Sequence, residues 1–104
     1  MVDYAFEFAR NDSVAVGITN TVISRSRTQE QEQERRLIVC RNISPNASDT
    51  ITVSFGVPSV SNTGIVLRQY ESFTEATDSG YKAFQGQINA ICATATGVLA
   101  VFEK

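Results

Sequence analysis

The chain has 104 residues, 42% of them hydrophobic and 19% charged, and a formal net charge of −2. Those figures fit one folded domain with a core of its own and leave no positive field for drawing in nucleic acid or an anionic membrane. Histidine and tryptophan are absent, which removes the commonest general base, the Ser-His-Asp and Cys-His arrangements, and nearly all histidine-built metal centres, the metal-binding cupins included.

No basic leader with an apolar run follows Met1, and no apolar stretch approaches the roughly 20 residues of a bilayer-crossing helix. A cytoplasmically made chain is expected, with Cys40 and Cys92, each inside an apolar run, as buried free thiols rather than a disulfide. Without export, the N-x-S triplets at Asn11, Asn42 and Asn46 are chance matches.

In chain order, Val2, Tyr4, Phe6 and Phe8 fall on one face of a period-2 pattern and Asp3, Ala5, Glu7 and Ala9 on the other, which predicts a half-buried strand. Two uses suit it: a place in the core, or an arm, residues 1–12, that adds to a neighbouring subunit's sheet edge. Asn11, Asp12 and Ser13 predict a turn, and Val14, Val16, Ile18 and Val22 a second strand, or two short ones, with Gly17 marking a bulge or close approach.

Residues 24–36 contain no apolar side chain. They are expected to stay out of the core as an exposed hairpin tip or loop. The arginines Arg25, Arg27, Arg35 and Arg36 flank Glu30, Glu32 and Glu34. Such mixed charge suits a protein partner better than a polyanion, so these four arginines and Tyr4, Phe6 and Phe8 are the candidate partner-interface residues.

Residues 37–43 predict a central strand, 44–49 a turn, and 50–55 a strand with Ile51, Val53 and Phe55 facing inward, the two strands forming a hairpin. A Gly/Pro/Ser-rich link over 56–64 leads to a strand at 65–67, a polar bend follows at 71–80, and apolar stretches at 83–92 and 98–102 flank a turn at 94–97. The sum is an all-β chain, a β-sandwich or jelly-roll-like barrel of about seven or eight short antiparallel strands, with at most a turn or two of helix.

Glu71, Glu75 and Asp78 in the polar bend are the one carboxylate group from which acid-base chemistry could be built, as in a small carbohydrate-acting enzyme. The bend lacks the alternating acids and central glycine of a calcium loop, and no glycine-rich segment leads from a strand into a helix to cradle phosphate. No catalytic residue, metal or cofactor is expected, and the chain reads as a binding or structural module that works through its surface.

Three glycine-bounded apolar stretches mark the carboxyl-terminal two-thirds. They are Gly64-Ile65-Val66-Leu67, then Phe84-Gln85-Gly86-Gln87-Ile88-Asn89-Ala90-Ile91, then Gly97-Val98-Leu99-Ala100-Val101-Phe102-Glu103. In these the chain resembles small virion proteins of tailed bacteriophages, the β-sandwich decoration or cement proteins of the head in particular. The resemblance implies a homo-oligomeric clamp, dimer or trimer, that binds the major capsid protein across subunit boundaries on the outer shell. It implies a virion location and no catalytic or ligand residues. A tail, fibre or baseplate β-module, where such stretches also occur, is the alternative.

Overall fold

A computed structural model describes residues 9–27 and 34–104. The described residues contain eight strands and no helix: β1 (Arg10–Val16), β2 (Thr21–Ser24), β3 (Leu37–Asn42), β4 (Ile51–Phe55), β5 (Ile65–Leu67), β6 (Ser72–Ala76), β7 (Ile88–Cys92) and β8 (Gly97–Glu103). They form two four-stranded sheets, ordered β1-β8-β3-β6 and β2-β7-β4-β5, with every pair antiparallel.

That order has a simple origin. β1 pairs with β8, β2 with β7, β3 with β6 and β4 with β5, so the chain is one long hairpin. Rolling the hairpin up adds the β3–β8 and β4–β7 ladders and separates it into two sheets. The result is the eight-stranded jelly roll, an all-β sandwich.

The core lies between the sheets and follows the period-2 pattern of each strand. Val16, Ile38, Cys40, Leu99 and Val101 come from one sheet and Ile23, Ile51, Val53, Leu67, Ile88, Ala90 and Cys92 from the other. Complete burial of one such Val, Leu or Ile side chain stabilises by about 1.5–3 kcal/mol. Phe55 joins the sheets at one end, stacked on Phe84 with ring centroids 5.2 Å apart and tilted against Phe73 at 5.9 Å. At the start of β8 the strands crowd: a Cβ on Gly97 would stand 2.4 Å from the Val16 carbonyl oxygen and 2.7 Å from the Cys92 Sγ, so this position has room for glycine alone.

Several local expectations are overturned by long-range pairing. Asn11, Asp12 and Ser13 lie inside β1, because the ladder to β8 outweighs their turn preference. The polar bend at 71–80 contains β6, which β3 recruits as the sheet's edge. The turn at 44–49 does not close a hairpin: β3 and β4 belong to different sheets, and the turn carries the chain across the sandwich. Gly17 follows β1 without forming a bulge; the register shift lies in β2, between Val22 and Ser24. Both cysteines are buried free thiols, and burial pushes the Cys40 thiol up to about 12.

Candidate functional site: a buried arginine-glutamate node

The segment expected to remain in solvent supplies the largest fully buried side chain among the described residues. Arg35 is 0% exposed. It is drawn in by Glu103, which follows Leu99 and Val101 on the inward face of β8 and is only 2% exposed. A carboxylate left alone there would be strongly disfavoured, so the fold must bring it cations.

Three arrive. The Arg35 Nε donates to Glu103 Oε2 at 2.7 Å, while Arg27 and Arg10 reach Oε1 at 3.0 and 3.2 Å. The Ser24 hydroxyl donates to Oε2 as well. All five guanidinium donors of Arg35 are used: beside Glu103 they reach the Phe84 carbonyl, the Gly86 carbonyl at 3.1 Å, Ser24 Oγ at 2.6 Å and the Arg25 carbonyl at 2.8 Å. Gln85 then holds the Arg35 backbone, accepting from its N–H at 2.7 Å and donating to its carbonyl at 2.6 Å. This wrapping around Arg35 is why the apolar stretch at 83–92 becomes a strand only from Ile88.

Burial by itself raises the Glu103 pKa. Hydrogen bonds from Arg35 and Ser24, the Arg27 charge and the Arg10 hydrogen bond outweigh it, and the carboxyl is held below its ordinary value. The node ties β1 and β8 of one sheet to β2 of the other and to the 83–87 segment.

The remaining candidate residues fall as follows. Arg25 and Arg36 are exposed; Arg25 lends its carbonyl to Arg35, and the Arg36 N–H donates to the Lys104 carbonyl at 2.8 Å. Arg27 is partly buried on Glu103. Tyr4, Phe6 and Phe8 lie outside the described residues. Thus the arginines do not form one exposed interface; Arg35 is internal. The three carboxylates of the polar segment have separate local duties: Glu71 accepts from the Arg68 N–H at 2.7 Å, Glu75 from the Tyr81 hydroxyl and the Phe84 N–H, and Asp78 from the Ser79 N–H at 2.7 Å. Among the described residues no group of three or more Cys, Asp and Glu side chains could hold a metal ion.

Sequence reasoning misses Glu103, Ser24, Arg10 and Gln85. A signal for Glu103 exists there: counting by twos from Leu99 places a carboxylate in the core, and only an arginine-rich segment could satisfy it.

Two apolar grooves lie on the surface of the described residues. One, of about 440 Å³ on the outer face of the β1-β8-β3 ladder, is lined by Val39, Ala100 and Phe102 with Asn11, Ser13 and Arg41. The other, of about 380 Å³ at the β4-β5 edge, lies beside Val53, Phe55, Val57 and Ile65. Val57 and Val60 near that edge are 59% and 61% exposed, and Ile65 and Val66 on β5 are exposed as well. Comparison with protein-family models, with curated proteins and with solved structures finds no match.

Proposed function

We propose that this chain is a structural virion protein that binds the outer surface of a tailed-phage head and stabilises the shell, its partner being the major capsid protein. The observation that carries the reading is a division of labour. The buried ionisable groups of the node serve to hold the two sheets together, whereas the apolar grooves face outward. A clamp needs a rigid body and adhesive surfaces, and this arrangement supplies both. The jelly roll is a fold used by viral capsid domains, which adds a fold-level analogy, and the glycine-bounded apolar strands of residues 37–104 point the same way.

The test is co-sedimentation of the purified protein with expanded heads of tailed phages at near-physiological salt. Binding in a fixed ratio to capsid subunits, with heads that then withstand higher temperature, is the expected result. Absence of binding, or electron microscopy that places the labelled protein on tails instead of heads, would overturn the reading.

A further inference from the structure

We propose that the groove between β1 and β2 binds a phosphate dianion, free or carried on a small organic ligand, through Arg10, Arg25 and Arg27. The site is independent of head binding: a chain that ignores capsids can still hold phosphate there.

The groove has a volume of about 310 Å³, the size of a small-ligand site, and is lined by Arg10, Val22, Ile23, Ser24, Arg25 and Arg27. The two apolar grooves differ in kind. The one on the outer face of the β1-β8-β3 ladder holds a single arginine, Arg41, together with Asp12, and the one beside β4 and β5 holds none.

Charge marks this groove out. The chain carries a formal net charge of −2, yet here four guanidinium groups, those of Arg10, Arg25, Arg27 and Arg35, meet two carboxylates among the described residues, Glu103 and Asp12. An excess of two positive charges remains. Glu103 cannot absorb it, because both of its oxygens are already shared: Oε2 accepts from Arg35 and Ser24, and Oε1 from Arg10 and Arg27. The Asp12 side chain is half exposed, and an ion pair of that kind contributes little. Arg25 is exposed and, among the described residues, has no ion pair.

The bonds of the node also preset the site. Arg10 is fixed at three points, by the Ile23 carbonyl at 2.8 Å, Glu103 at 3.2 Å and Asp12 at 3.1 Å, and Arg27 is fixed by Glu103 at 3.0 Å. Guanidinium groups held in place before a ligand arrives lose little side-chain entropy on binding it. Several of them together suit phosphate, which accepts paired N–H donors on more than one edge and whose two charges match the excess. A lone carboxylate offers one charge and one plane. Val22 lines the groove and is 46% exposed, so it gives an organic substituent an apolar surface, and a phosphomonoester is expected to bind more tightly than inorganic phosphate.

The experiment is isothermal titration of the full chain with inorganic phosphate and with phenyl phosphate, in Tris buffer at mildly alkaline pH and constant ionic strength. Arg25→Gln and a control, Arg36→Gln, are titrated alongside. The Arg25 side chain takes no part in the Glu103 node and Arg36 is exposed outside the groove, so both variants should keep the parent melting temperature. One phosphate per chain is expected to bind with a dissociation constant of about 1 mM or tighter. Arg25→Gln should weaken it on the order of tenfold and Arg36→Gln should leave it unchanged. The order of the two probes identifies the source, a phosphorylated ligand if phenyl phosphate binds more tightly and the free ion if inorganic phosphate does. Absence of saturable binding, or equal weakening by the two variants, overturns the inference. So does a glutamate-rich peptide that binds more tightly than either phosphate and loses its affinity in Arg25→Gln, since the groove then belongs to an acidic protein segment.

Discussion

At the end of the sandwich where β8 finishes, charge holds the two sheets together, whereas at the opposite end amides and hydroxyls do. The first end is the Glu103 node with its three arginines. At the second, the Asn42 side chain donates to the carbonyls of Asp49 at 2.7 Å and Leu67 at 2.9 Å and accepts from the Ser44 N–H at 3.0 Å. Asp49 in turn accepts from the Thr94 and Thr96 hydroxyls and the Asn46 N–H. Both ends solve the same problem, the buried backbone polar groups left where strands stop and the chain changes sheets. They differ in what failure costs. A lost amide strands neutral groups, while a lost guanidinium strands a buried charge.

The largest effect should therefore come from Arg35→Ala, which removes the partner with five hydrogen bonds and is expected to cost about 3–5 kcal/mol in urea unfolding. Arg35→Lys should rescue little of it, since an ammonium cannot reach the same acceptors. Asn42→Ala at the neutral end is expected to cost less, about 2 kcal/mol by the same measurement. Equal losses at the two ends would erase the distinction.

Acid separates the ends less sharply. The Glu103 carboxyl is held below its ordinary value, as burial is outweighed by the arginines and Ser24, and the Asp49 carboxyl is lowered by hydrogen bonds from Thr94 first, then Thr96 and Asn46. A depressed carboxylate stabilises fully above its unfolded pKa, near 4, and that contribution is lost as pH falls through the lower folded value. The melting temperature should fall progressively below about pH 4.5, and Glu103→Gln and Asp49→Asn should each flatten part of that slope. The smallest effect concerns the thiols. With the Cys40 pKa raised to about 12, chiefly by burial with Glu103 adding to it, a thiol reagent at mildly alkaline pH should label Cys40 only at the rate of unfolding.

How much of this is legible in the sequence differs by kind of interaction. Alternation places Ile51, Val53 and the final strand correctly, because which face a strand residue occupies is a local property of period 2. The hairpin expected across 44–49 fails because nothing local distinguishes a turn that reverses a strand within one sheet from one that crosses to another. The first strand pairs with the last, and that ladder makes a strand of Asn11-Asp12-Ser13 against their turn preference. The arginine-rich segment misleads for a related reason: its lack of apolar side chains says it cannot start a core, and says nothing of Glu103, 68 positions away from Arg35. Arg25 and Arg36 do stay at the surface.

The most direct test of the buried node is a double-mutant cycle on Arg35→Ala and Glu103→Gln, read by urea unfolding of both single variants and the double variant. If the two residues hold the fold as one unit, the double variant should be less destabilised than the sum of the singles, with a coupling of about 1.5 kcal/mol or more. Losses that simply add, to within about 0.5 kcal/mol, would contradict the node and return the arginine-rich segment to the solvent.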